Sequence, residues 1–323
     1  MNQTEITMTQ TAITMTQPET IMTQTETIMT QTEEKINNIQ LSYKSNNTIP
    51  KRYINADDIK ERYVLVFDTE TTGLPKNNWA NFQPYSYSKN DKKYSSSEEC
   101  DFPHIVQLSF ILYDNYENKI LISNNELIKI PENVEITEGS FNIHKISKEQ
   151  TQSINNREIN FVLNDFMQAF YMSDIVVAHN ISFDRNLILV ELLRCSKEKN
   201  LCNDSNIYTK YLNDFYYNKK EYCTCNFGSD ECKILKINKL GNPYYAKPKL
   251  QYLYNYLFNN SNIDTNKLHD AFTDLLLCFR CFCKLRYNQD IYYIDNKIKI
   301  LIDDLAVKPV LRRSERIFNI SKK

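Results

Sequence analysis

The stretch YVLVFDTETTGLPK, residues 63–76, does more than any other to limit what this chain can fold into. The uninterrupted run YVLVF predicts a strand buried on both faces. It leads directly into two carboxylates, Asp68 and Glu70. Side chains alternate along extended backbone, so these two share a side and Thr69 takes the other. A pair of acids at the end of a buried strand is unfavourable unless a cation neutralises it. At an exposed strand end the same pair needs nothing, and the segment alone leaves both readings open.

Two downstream segments carry matching chemistry. In VVAHNISFDRN a strand ends at Ala178, His179 and Asn180 form the turn, and Asp184 falls in the first turns of the next helix. There an acid also simply complements the helix N-terminus. In LHDAFTDLLLCF, His269 and Asp274 are five residues apart. Five residues of ideal helix rotate roughly 500°, about 140° net, so the two would not share a helix face. They serve one site only if His269 lies in an irregular helix entry and Asp274 inside the helix, with Asp270 as N-cap.

In this order, FDTETTG, AHNISFD and HDAFTD resemble the three motifs of the DnaQ-like DEDDh 3′-5′ exonuclease superfamily. The resemblance also takes in PHIVQLSFILYD, similar to that family's second strand, and FNIHKIS, similar to its H-G-I-T segment with Lys145 in place of the glycine. It implies an α/β, ribonuclease H-like fold, a mixed central β-sheet flanked by helices. It implies that Asp68, Glu70, Asp184 and Asp274 hold two divalent metal ions, and oxygen ligands favour Mg²⁺ or Mn²⁺. Asp68 would bridge both ions, Glu70 and Asp274 would complete one shell, and Asp184 would bind the other ion. His269 would be the general base toward an attacking water, a task suited to imidazole. The position four before the last acid holds Asp270 rather than tyrosine, which points to the histidine branch of the superfamily.

The resemblance further implies that Thr71, Thr72, Gly73 and Leu74 contact the 3′-terminal nucleotide, with Leu74 wedging a base, and that His179 and Asn180 also bind substrate. Gly73, one of only four glycines, would let backbone approach a nucleotide closely. The expected reaction is metal-dependent hydrolysis at single-stranded or frayed 3′ ends, releasing nucleoside 5′-monophosphates and leaning to DNA. The alternatives are a 3′-5′ exoribonuclease or a non-catalytic nucleic-acid-binding protein on the same fold.

Composition adds bounds. A chain of 323 residues at 41% hydrophobic can bury one sizeable core. A net charge of −1 provides no global basic field, so affinity for phosphates must be local or carried by cations. Strands are predicted at 63–67, 104–114, 118–130 and 174–178, and helices at 157–172, 182–194, 249–258 and 270–285. Residues 1–58 read as a disordered tail and linker containing four seven-residue Thr/Gln-rich units that lack a coiled-coil seam. The exonuclease domain is expected over 59–290. Two polar segments of weak periodicity, near 76–100 and 197–247, read as loop insertions. Tyr85, Tyr87 and Tyr94 in the first are either base-stacking or plain surface residues. The end, 291–323, reads as an extension with a basic tail carrying Arg312, Arg313 and Arg316.

Nine irregularly placed cysteines without a secretory apolar region indicate a reducing compartment, and no run is long enough to span a membrane. A soluble, intracellular protein is expected. Cys223, Cys225 and Cys232 lack the paired C-x-x-C spacing of structural zinc sites. Cys278, Cys281 and Cys283 fall among apolar helix residues and read as core.

Overall fold

The YVLVF run becomes the middle of a sheet. In a computed structural model, which describes residues 61–75, 102–198, 205–217, 219–259 and 263–307, β1 (Tyr63–Thr71) lies between β2 (Ile105–Asp114) and β5 (Ile175–Ala178). The N-terminal repeats, the 76–100 segment with its three tyrosines, and Arg312, Arg313 and Arg316 lie outside the described residues. β1, β2 and β3 (Lys119–Lys129) form an antiparallel meander. β5 and β6 (Lys220–Cys223) add to it in parallel, and the two-residue β4 (Arg157–Glu158) pairs with β3. The order β4-β3-β2-β1-β5-β6 makes the mixed central sheet that the motifs imply.

Burial on both faces of β1 and β2 follows from helices on each side. Leu65 and Phe67 of β1, with Leu108, Phe110 and Leu112 of β2, meet α3 (Ile159–Met172), α4 (Ile181–Lys197) and α5 (Ser205–Tyr217). Phe166 of α3 sits at the centre of this layer, edge-on to Phe67, Phe110 and Phe215 at centroid distances of 5.3 to 5.6 Å. Val64 and Val66, with Ile111 and Tyr113, face the other way onto α8 (Ala271–Tyr287). That second layer also holds α7 (Leu250–Leu257) and α9 (Asn296–Leu305), the latter through Ile298, Ile302 and Leu305. Arg280 of α8 binds both oxygens of Asp290 at 2.8 Å and stacks on Phe258 and Tyr292, locking these elements together. Two short helices, α1 (Glu138–His144) and α2 (Lys148–Thr151), follow β3.

The 197–247 segment differs from the expected loop. It contains α5, β6, α6 (Thr224–Cys232) and a hairpin of β7 (Ile234–Ile237) and β8 (Pro243–Ala246). α5 buries Tyr208, Leu212 and Phe215, an apolar face made largely of aromatic residues set among Asn and Lys. β6 is four residues long and joins the sheet through backbone pairing, a contribution that side-chain periodicity does not register. Among the described residues no helix is long and apolar enough to cross a membrane.

Candidate active site

Asp68 and Glu70 share the parity of Val64 and Val66, so they project from β1 toward the start of α8. Asp274 occupies the first turns of that helix, its N–H bonded to the Asp270 carbonyl at 3.0 Å. Carboxylate oxygens of Asp68, Glu70 and Asp274 all lie within 4.8 Å of one another. The β1–β2 register shifts just after Glu70, where a bulge ends regular pairing.

Asp184 reaches the same strand from the opposite side. β5 pairs with β1 only from Val64 to Val66, which frees the β1 edge further along. Asp184, in the first turn of α4, fills that gap: its Oδ1 accepts from the Thr69 N–H at 3.1 Å and from the Thr69 hydroxyl at 2.7 Å. Thr69, between the two acids in sequence, therefore orients a third acid; its pointing away from them was the only sequence signal. Asp184 stands outside the three-carboxylate group, but first among the acids whose charge bears on Asp68.

α8 starts where it does because of Asp270 and Gln107. Asp270 caps the helix through Thr273, as expected, and its other oxygen accepts from Gln107 Nε2 at 2.8 Å. Gln107 Oε1 takes the Ala271 N–H at 3.2 Å. A single buried glutamine of β2 thus fastens the helix entry to the sheet, and nothing in the sequence singled it out. His269 lies just before this clamp in left-handed backbone, φ 64°, a region histidine tolerates better than most residues. Its Nδ1 is 3.9 Å from Asp274 Oδ2, beyond hydrogen-bond reach, and its side chain is 58% exposed.

Beyond Glu70 the chain is tightly held. The Thr71 hydroxyl donates to the Gly73 carbonyl, and the Thr72 hydroxyl accepts from the His104 N–H. Both threonine side chains are thus engaged within the protein. A Cβ at Gly73 would press on Thr137 Cγ2 at 3.2 Å, so this glycine admits the start of α1, where the Thr137 N–H bonds to the Thr72 carbonyl. Leu74 is 79% exposed. His144 accepts the Ile146 N–H at Nδ1, which leaves Nε2 to donate to the Thr71 carbonyl at 3.1 Å. Lys145 has φ 61° as the cap of α1, which explains why a glycine suits that position.

His179 lies apart from the expectation of substrate contact, because both its ring nitrogens are taken by protein. Nδ1 meets the Thr224 hydroxyl at 2.9 Å and Nε2 the Pro248 carbonyl at 3.1 Å. Burial pushes its pKa down to about 4, keeping the ring neutral. Asn180 is left-handed, φ 68°, and makes no side-chain cap to α4. Cys223 and Cys225 are buried and Cys232 half-buried; among the described residues they join no group of metal-ligating atoms. Cys278, Cys281 and Cys283 are core, as expected.

The acids repel one another. Burial raises Asp68 well above the ordinary carboxylate range, and Asp184, Asp274 and Glu70 raise it further. Burial, with Asp274 and Asp184, lifts Glu70 likewise. Burial also raises Asp184 against the hydrogen bonds from Thr69, and Asp274 against a backbone hydrogen bond. An all-oxygen donor set that cannot ionise together on its own is suited to hard divalent cations, which supply the missing positive charge. The residues present therefore fit a divalent metal centre.

No curated protein matches the chain. Among solved structures it is similar to cell-death related nuclease 4 (CRN-4), at 14% identity over 71% of this chain and 65% of that one, TM-score 0.44. It is similar to E. coli exonuclease I, solved with a 5cy-dT13 oligonucleotide, at 14% identity over 73% of this chain and 43% of that one, TM-score 0.42. It is also similar to exonuclease X, solved with 5′ overhanging duplex DNA, at 15% identity over 73% of this chain and 99% of that one, TM-score 0.38. The chain thus spans less than two thirds of the length of the first two. The sequence model of the exonuclease family named for RNase T matches residues 65–282, more than half of the chain and all four carboxylates of the site, and this protein belongs to that family.

Proposed function

We propose that this nuclease is a metal-dependent 3′-5′ exonuclease that removes nucleoside 5′-monophosphates from single-stranded or frayed 3′ ends, with DNA favoured over RNA. The observation that carries this reading is the meeting of Asp68, Glu70 and Asp274 within 4.8 Å at the end of a buried strand. Asp184, set by Thr69, is the fourth ligand in this reading. Bound by these acids, Mg²⁺ or Mn²⁺ supplies charge stabilisation to the attacking and leaving oxygens of a phosphodiester.

The chain's own residues do the rest. Glu70 and Asp68 are fixed by β1 and Asp274 by the clamped start of α8, so the donor set is organised before substrate arrives. His269, exposed at the helix entry beside Asp274, takes the proton from the water that attacks phosphorus. Leu74, exposed three residues after Thr71, meets the terminal base, and the backbone of 71–73 lies along the nucleotide. An intracellular setting fits the cysteines that remain thiols among the described residues.

The test is digestion of DNA and RNA strands in parallel across a titration of Mg²⁺ and of Mn²⁺, with products identified by mass. Mononucleotides bearing 5′-phosphate, absent in chelator, are the expected result. Products bearing 3′-phosphate, or unaltered digestion in chelator, contradict the reading.

A further inference from the structure

The segment between β6 and α7 carries surface chemistry that the carboxylate cluster does not use. Over 233–249, KILKINKLGNPYYAKPK, there are five lysines and no acid, in a chain whose net charge is −1. Lys233, Lys236, Lys239, Lys247 and Lys249 are all exposed. The nearest preceding acids, Asp230 and Glu231, belong to α6. In the hairpin, Lys236 pairs directly with Tyr244, so a cation and a ring that is 44% exposed share one face. The turn beyond is cross-bonded. The Asn238 side chain accepts from the N–H groups of Leu240 and Asn242, and its carbonyl accepts from that of Gly241, whose φ is +81°. Such a turn presents Leu240, 85% exposed, as a fixed tip.

The position of this hairpin matters as much as its charge. Both its flanks are fastened to one side chain, since His179 contacts Thr224 before it and Pro248 after it. His179 follows the C-terminal end of β5, and β5 runs parallel to β1, so the hairpin is rooted at the same end of the sheet as Asp68 and Glu70. α6 packs closely enough on its surroundings that a Cβ at Gly228 would meet Leu253 and Pro248 at 3.0 Å. The base of the hairpin is thus firmly seated.

We propose that the 233–249 hairpin is an arm that holds the substrate strand upstream of its 3′ end. Its lysines meet phosphates and Tyr244 stacks on a base. Charge complementarity favours nucleic acid, because a single strand offers both regularly spaced anions and flat apolar faces. The arm rests on the exonuclease reading of the carboxylate cluster.

The experiment uses the full chain in EDTA and a fluorescent oligothymidylate about twenty nucleotides long, with affinity read by anisotropy over a series of salt concentrations. Reversing Lys236→Glu with Lys239→Glu is expected to weaken binding at least about tenfold. It should also reduce the slope of log K against log salt by roughly 1.4, the loss of two phosphate contacts on a single strand. Tyr244→Ala is expected to weaken binding about tenfold and leave the slope as it is. Thermal melting of both variants should match wild type, since all three side chains are exposed. Wild-type hydrolysis of the p-nitrophenyl ester of thymidine 5′-monophosphate with Mg²⁺ checks the carboxylate centre independently, because that substrate has no upstream strand. Absent ester hydrolysis with oligonucleotide binding lost in the charge-reversed protein would sink the exonuclease reading, and with it the arm's role upstream of a 3′ end, while supporting strand binding by the hairpin. Unchanged affinity and slope in that protein would overturn the arm, whatever the ester assay gives. So would retention of wild-type protein by phosphatidylserine vesicles together with no affinity for the oligonucleotide.

Discussion

Asp68 and His269 have opposite electrostatic situations, and their substitutions should behave differently. Asp68 is buried among acids that resist its ionisation. Asp68→Asn removes that repulsion, so in EDTA the variant is expected to melt at or above the wild-type temperature while kcat falls by roughly a thousandfold. Scanning calorimetry and single-turnover digestion check the two halves. The His269 side chain is exposed and its ring stands 3.9 Å from Asp274, which the His269 backbone also hydrogen-bonds. His269→Ala should lower kcat by roughly 10² to 10⁴ and keep the metal-dependent rise in melting temperature, which a ligand substitution would abolish. At this scale the acids were legible because FDTETTG, AHNISFD and HDAFTD occur together in one order, whereas each segment alone left an ordinary reading open. Thr69 and Gln107 were not, since an uncharged polar side chain reveals its work only when a partner from a distant element arrives.

Elements place these residues through a few contacts that can be removed singly. The Gln107 amide joins β2 to the cap and first N–H of α8. Gln107→Leu keeps the volume but leaves that N–H and one Asp270 oxygen without their partner. The expected outcome is a loss of about 1 to 3 kcal/mol in denaturant unfolding, with a fall in kcat greater than the rise in KM. A fall in stability with unaltered kcat would show that the clamp holds the fold and has no part in aiming Asp274. β1, β2 and β5 could be read from short apolar runs, and α3, α4, α7 and α8 from apolar residues at helical spacing. The hairpin and β6 could not: β7 is ILKI and β6 is KEYC, each too short for a period to emerge. Lys145 shows a different limit. A left-handed cap ordinarily advertises itself by glycine, and here a lysine occupies it.

Across the whole molecule, two linkages follow. Glu61 joins the entry of β1 to β6 through Lys220 at 2.7 Å and to the end of α8 through Arg286 at 3.0 Å and Tyr287 at 2.8 Å. Burial works against its charge, but these hydrogen bonds prevail and hold its pKa at about 2, below the ordinary 4.5. A depressed carboxylate pKa stabilises the fold fully above about 4.5, and that contribution is lost as pH falls toward 2. It amounts to at most about 3 kcal/mol. Urea unfolding from pH 6 downward should therefore show a stability loss that is flatter in Glu61→Gln. The second linkage is to the cation: at a hundredfold excess over Kd it should stabilise the fold by about 2.7 kcal/mol, raising the melting temperature by roughly 5 to 10 °C. The sheet order was accessible from sequence through the motifs, which imply a known architecture, whereas α9, in a segment read as an extension, joins the second layer through Ile298, Ile302 and Leu305 with Leu301 packed against them.

The central claim, that the carboxylates gathered by β1, α4 and α8 cut strands from the 3′ end, is tested most directly by end-labelled digestion. A single strand labelled at either its 3′ or its 5′ end is incubated with Mg²⁺ and wild type, Asp68→Asn or His269→Ala protein. Wild type is expected to release the 3′ label at once as a mononucleotide and to shorten the 5′-labelled strand stepwise, with both variants nearly silent. Equal release by wild type and Asp68→Asn, or earlier loss of the 5′ label, would contradict the account.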